Sequence, residues 1–321
     1  MLNITAFGEA LIDMIPDYAG DSAGGAPPRA FVPYPGGAPA NVAVATARLD
    51  APTWFIGQVG QDIFGDMIAQ TLAQQGVHTD YLARSEQALT PLAFVAHDAD
   101  GERRFSFYRN GTADLLYRPE QAPAALFERS GVFHICSNTL TEPGIETTTH
   151  ALLERAAERG CLRSVDVNFR ASLWPRPEQA SDAIWRCLVG ADIVKMSREE
   201  LDALYGETGE QAIVEALLTA GVRVVVITDG GNPVNYATAR DAGEISPPPV
   251  SVIDTTAAGD AFVGGLLTQL ARALDTAAGL DAWLADEGNL RDALIVATRC
   301  GAFAAGRYGA YAALPTPADI L

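Results

Sequence analysis

Apolar residues along the chain fall into short runs that alternate with longer segments of helical spacing. The runs "ITAFG", "TWFIGQVG", "VFHIC", "RSVDVN", "DIVKMS" and "RVVVITDG" are rich in β-branched and aromatic residues, the composition of strands covered on both faces. Between them lie stretches such as "PANVAVATARL" and "FGDMIAQTLAQQG", whose apolar positions recur at helical intervals. This alternation predicts an α/β fold with a parallel-rich sheet flanked by helices on both faces. Two regions break the rhythm. Residues 14–36 are rich in Pro and Gly, and residues 90–117 read as two strands joined by the turn "HDADGE". Together they predict a small β lid over one end of the sheet. No internal repeat or low-complexity tract is visible, and residues 1–321 read as one domain.

Ligands of an open parallel sheet bind beyond the carboxyl ends of its strands. That rule singles out Asp13, expected to end the first strand, with Asn168, Ser197 and Gly230. It also singles out "DTTAAGDAF" (Asp254 to Phe262), expected to follow a strand "PVSVID" and to open the apolar helix "AFVGGLLTQLARAL".

Composition narrows the partners. The chain has 321 residues, 48% of them hydrophobic, enough for a sizeable core. Its formal charge of -18 argues against nucleic acid or an anionic membrane surface, both of which need a basic footprint. Cys136, Cys161, Cys187 and Cys300 lie far apart with no C-x-x-C pair, which suggests buried thiols and neither a disulfide framework nor a zinc site. The start "MLNITAFGEALIDMIP" lacks a basic leader, and no run of 18 apolar residues occurs. A cytoplasmic location is expected.

The common phosphate-binding signatures are absent. A Walker loop needs a lysine in G-x-x-x-x-G-K-[ST], and the chain's single lysine, Lys195, follows Val194. No G-x-G-x-x-G follows a strand, and "GQVGQDIFG" has its glycines at the wrong spacing. The small residues of "TTAAGDA" offer another route: backbone N–H groups can approach an anion closely, and the helix that follows adds the positive end of its dipole. A tight strand-to-helix connection would have the same composition.

"DTTAAGDAF" resembles the C-terminal signature of the ribokinase-like (PfkB-type) carbohydrate kinases, with Ala257 in place of its first glycine. "GGAPANVA" resembles their double glycine followed by an asparagine. "GEALID", "VGQDIFG", "GERRFSFYR", "DVNFR", "VKMSREEL", "ITDGG" and "GAYAALPT" follow in compatible order, so the likeness spans the whole chain. It implies a ribokinase-like fold with a β lid, ATP and Mg2+ as cofactors, with K+ as a further candidate, and a homodimer as the candidate assembly.

The resemblance also implies roles. Asp260 would take the proton of a sugar hydroxyl, its place at a helix N-terminus keeping it ionised. Ala257, Ala258 and Gly259 would form the anion hole. Asp13, Gly36, Gly37, Asn41, Arg109 and Arg170 would bind sugar, the two glycines near a hinge. Bland alternatives stand beside these: an Asx-turn for Asp13, a plain loop for the glycines and helix capping for Asn41. Asn168, Lys195, Ser197, Thr228 and Gly230 would face the nucleotide, and Glu200 would act on magnesium through water. Ser197 and Glu200 also spell a helix capping box, and Lys195 could equally be a snorkelling strand-end residue.

"NGTADLLY" and "SLWPR" point to the fructokinase branch, hence to the 6-hydroxyl of D-fructose. Arg109 and Arg170 could instead grip a carboxylate, as in a 2-keto-3-deoxygluconate kinase, and a catalytically impaired sugar-binding relative stays open because of Ala257. For Ala257 a negative φ is expected, which would make the alanine harmless.

Overall fold

The computed structural model describes residues 1–17, 28–97 and 103–320. In chain order its strands are β1 (Asn3–Phe7), β2 (Leu11–Asp17), β3 (Ala30–Gly36), β4 (Thr53–Gly60), β5 (Leu82–Ser85), β6 (Leu92–His97), β7 (Arg103–Tyr108), β8 (Ser130–Cys136), β9 (Leu162–Asp166), β10 (Ile193–Ser197), β11 (Val224–Thr228), β12 (Val234–Ala237) and β13 (Ala242–Ile245). The helices are α1 (Ala38–Arg48), α2 (Ile63–Gln74), α3 (Ala124–Arg129), α4 (Pro143–Glu158), α5 (Ala180–Leu188), α6 (Arg198–Tyr205), α7 (Glu210–Thr219), α8 (Ala258–Ala273), α9 (Leu280–Trp283), α10 (Glu287–Ala305) and α11 (Pro317–Ile320).

Nine strands form the main sheet in the order β13-β12-β11-β10-β9-β8-β1-β4-β5. All six runs read as strands lie side by side within it and are parallel to one another. β5 extends the sheet in parallel at one edge, and the antiparallel pair β12 and β13 extends it at the other. Alternate residues of each strand enter opposite cores. Phe133, Ile135, Val194 and Met196 pack with Ile145 and Leu152 of α4 and Ile184 of α5. Val132, Leu162 and Ile193 pack with Phe262 and Leu266 of α8 and Leu294 of α10. Because both faces are covered, the central strands are buried along most of their length rather than alternating buried and exposed.

β3-β2-β6-β7 form the second, four-stranded sheet. It begins at Leu11, so Asp13 lies inside β2, paired with Tyr34 of β3, and does not end the first strand as expected. β1 stops at Phe7, and the apolar alternation restarts after "GEA". Most of the turn "HDADGE", at 98–102, lies outside the described residues, as do residues 18–27 of the first excursion.

"PVSVID" is not a strand. Pro247, Pro248 and Pro249 supply no backbone donors, and the N–H groups of Ile253 and Asp254 both donate to the Ala305 carbonyl, at 2.9 and 3.2 Å. The segment therefore caps the end of α10 and leaves Val250, Val252 and Ile253 exposed.

Candidate active site

α8 carries Asp260 as its third residue, and both carboxylate oxygens are held by amide donors. Asn41, in the first turn of α1, donates its Nδ2 to Asp260 Oδ2 at 2.7 Å. Asn168, two residues beyond β9, donates its Nδ2 to Oδ1 at 3.3 Å, and reaches it from a left-handed backbone at φ 39°. Sequence placed Asn41 on the sugar and Asn168 on the nucleotide; the structure brings both to Asp260. Burial pushes the Asp260 carboxyl up to about 7, and the charge of Asp166 adds to the rise, while the Asn41 hydrogen bond, Lys195 and Arg170 oppose it. The expectation that the helix N-terminus keeps this group firmly ionised is thus corrected: desolvation outweighs the dipole. A carboxyl that titrates near neutrality suits a group that must accept a proton.

Ala257 overturns a second expectation. Its φ is 58° and its ψ 8°, left-handed rather than negative. A non-glycine residue there costs about 1–2 kcal/mol. The conformation is imposed by Asp254, whose Oδ1 accepts from Thr256 N at 2.7 Å and whose Oδ2 accepts from Gly309 N at 3.1 Å. That clamp fixes the turn that swings the chain into α8. Within it the Ala258 N–H donates to the Thr255 carbonyl at 3.2 Å, so Ala258 is partly engaged already. The N–H groups of Gly259 and Asp260 belong to the helix's first turn, where no intrahelical acceptor exists, and are the better-placed anion donors.

Lys195 neither snorkels nor reaches outward. Its Nζ donates to Asp166 Oδ1 at 3.0 Å, with the two side chains 7% and 0% exposed, and Asp166 holds it charged against the cost of burial. Ser197 and Glu200 do form the capping box at the head of α6. Glu200 Oε2 accepts from Ser197 N at 2.8 Å and Oε1 from Phe169 N at 3.1 Å, tying the strand end that carries Asn168 to α6. Arg170 stands at the mouth, half exposed and 3.8 Å from Glu200. Thr228 ends β11, and Gly230 follows in a left-handed turn at φ 54° with open space where a side chain would project.

On the lid side, a Cβ at Gly36 would run into Asp13 Oδ2, so the Asp13 carboxylate lies directly over this glycine. Gly37 has φ 104°, and a Cβ there would meet the Glu9 carbonyl oxygen at 2.6 Å. Arg109 departs from its expected place. Its Nε donates to Asp114 at 2.6 Å, Nη2 to the Asn138 carbonyl at 2.8 Å and Nη1 to Thr141 Oγ1 at 3.2 Å. The whole guanidinium fork is committed internally, because Asp114 and the turn at Asn138 close around it.

Five residues that the sequence reading did not assign to the site belong to its frame: Glu9, Asn138, Asp166, Asp254 and Tyr311. Asn138 donates to Glu9 Oε1 at 3.0 Å. Burial raises the proton affinity of the Tyr311 hydroxyl, and the charges of Asp13, on the lid side, and of Asp260 add to the rise. Glu9, Asp166, Asp254 and Tyr311 were visible within the quoted motifs; nothing in the sequence marks Asn138.

The profile of the pfkB family carbohydrate kinases matches residues 1–317. Fructokinase-1 of Oryza sativa subsp. japonica is 40% identical over 319 residues, covering 99% of this chain and 96% of its own. The structure of a Xylella fastidiosa fructokinase with bound ATP superposes with a TM-score of 0.92 at 42% identity, covering 99% of this chain and 96% of that one. A double mutant of the Vibrio cholerae O395 fructokinase, with fructose, ADP and potassium ion bound, gives a TM-score of 0.86 at 33% identity, covering 100% of this chain and 97% of that one. With an aspartate held by two amides at the head of α8 and a likeness that runs the length of the chain, the protein belongs to the pfkB family of carbohydrate kinases, with a ribokinase-like fold.

Proposed function

We propose that the protein transfers the γ-phosphoryl group of ATP to the 6-hydroxyl of D-fructose, within a single ribokinase-like domain that carries the β lid. Asp260 accepts the hydroxyl proton as the sugar oxygen bonds to the γ-phosphorus, and the bond from that phosphorus to the bridging oxygen of ADP breaks. Asn41 and Asn168 aim the carboxylate. The first-turn N–H groups of α8 lie next to it and stabilise charge on the transferring group. Asp13, over Gly36, binds sugar hydroxyls, and the ends of β10 and β11, with Ser197, Thr228 and Gly230, face the nucleotide. Magnesium arrives with ATP. Glu200 fits a contact through water: its oxygens each accept one backbone hydrogen bond and keep lone pairs beside the site. When bound, the ion neutralises phosphate charge. K+ is a further candidate ligand, as the Vibrio protein's potassium suggests.

The observation that carries this reading is the two-amide grip on Asp260 at the head of α8. The committed fork of Arg109 favours fructose over a sugar acid, because it leaves Arg170 as the one guanidinium of the pair turned to solvent. Coupled ADP release over a panel of sugars tests it. Fructose should be turned over best; a far higher kcat/KM for 2-keto-3-deoxygluconate would replace the substrate but not the reaction. A homodimer through the lid is supported by exposed Phe31, Val32 and Tyr34 on edge strand β3 and Tyr108 on β7. No helix among the described residues is long and apolar enough to cross a membrane, and a cytoplasmic location is part of the proposal.

A further inference from the structure

Two buried charges stand beside Asp260 without a role in the transfer. Asp166 ends β9, and Lys195 lies opposite it in the parallel register of β10. An ion pair so deep gives up the hydration of both charges, and adds little stability over an apolar pair of the same volume. Its position suggests another use. A Cβ on Gly259 would lie 3.2 Å from Lys195 Nζ, so the ammonium rests against the first turn of α8, next to the residue that precedes Asp260. Asp166 Oδ2 is buried with no hydrogen-bond partner among the described residues, so the donation from Lys195 to Oδ1 is not matched on the second oxygen.

We propose that Asp166 and Lys195 are positioning residues for the proton transfer: the pair fixes an ammonium under the first turn of α8 and a carboxylate behind it, and their balance sets the charge against which Asp260 ionises. This rests on Asp260 being the base. Asp166 opposes the ionised form of Asp260 and Lys195 favours it. The other groups around it have weaker claims. Arg170, beyond β9, is half exposed and screened by water. Cys136, at the end of β8, and Tyr311, after α10, are held neutral by burial. Glu9 and Asp13 share those two neighbours with Asp260. Glu200 acts on Lys195, and Asp254 turns its oxygens to Thr256 and Gly309.

The test follows two readouts against pH in the wild type, Asp166→Asn, Lys195→Met and Lys195→Arg. One is kcat/KM for fructose. The other is the 13C resonance of the Asp260 carboxyl without substrates, assigned by its loss in Asp260→Asn. Removing the Asp166 charge should move both midpoints down by about one pH unit, and removing the Lys195 charge should move them up by about as much. Lys195→Arg keeps the charge and should leave both nearly in place. Midpoints that coincide with the wild type in folded Asp166→Asn and Lys195→Met, with only the melting temperature lowered, would overturn the proposal. Asp166→Asn preserves shape and decides alone if Lys195→Met does not fold. A wild type that turns over no sugar would refute the kinase reading, while the carboxyl titration would still decide the pair's effect on Asp260.

Discussion

At the scale of single residues, the behaviour of Asp260 comes from burial competing with a helix dipole. The dipole is worth about 0.3–1 kcal/mol to a negative group in the first turn, whereas each unit of pKa shift corresponds to about 1.4 kcal/mol. A rise from 3.8 to about 7 is therefore beyond what the dipole can reverse. This has a consequence for stability. The folded protein binds the Asp260 proton more tightly than the unfolded chain, so the unfolding free energy falls as pH rises from about 4 through about 7. Asp260→Asn removes that dependence. Its melting temperature should exceed the wild type's at pH above about 7 and approach it near pH 4; a difference constant across this range would contradict the assignment. Asp13 makes a contrasting case. The sugar contact proposed for it would be made in ground state and transition state alike, so Asp13→Ala should raise the KM for fructose far more than it lowers kcat, a split that steady-state kinetics reads directly.

At the scale of elements, the turn into α8 and the start of α1 decide how the site is built. Ala257 was legible as a departure from the family motif, but its φ was not, because alanine enters either well at modest cost and the choice is made by Asp254 gripping Thr256 and Gly309, the latter 55 residues away. Ala257→Gly relieves left-handed strain and loosens the unfolded chain, a net gain of about 0.5–1 kcal/mol. Calorimetry should show a higher melting temperature, with kcat within about threefold because the backbone path is kept. Gly37 behaves oppositely. A side chain there meets the Glu9 carbonyl, so Gly37→Val should displace the start of α1 with Asn41, and impair kcat and KM together. An unchanged kcat would show that the α1 start tolerates the clash. "PVSVID" misled because its apolar character suits a strand; the three prolines before Val250 were the signal against it.

At the scale of the whole molecule, the sheet was legible where strands are rich in β-branched and aromatic residues and covered on both faces. The six central strands announce themselves for that reason. β5, β12 and β13 did not, since four-residue strands carry too little pattern to separate from loops. The commitment of Arg109 was illegible too, because Asp114, Asn138 and Thr141 meet it only once β7, β8 and α4 have packed. What the assembled molecule provides is an aspartate that no single element could orient alone, held by one amide from α1 and one from the end of β9. The measurement that tests this most directly is fructose-dependent ADP release by the wild type and by Asp260→Asn at saturating substrates. The wild type should phosphorylate fructose, and the folded variant should lose on the order of 10²-fold or more in kcat. Near wild-type turnover in a folded Asp260→Asn protein would contradict the account.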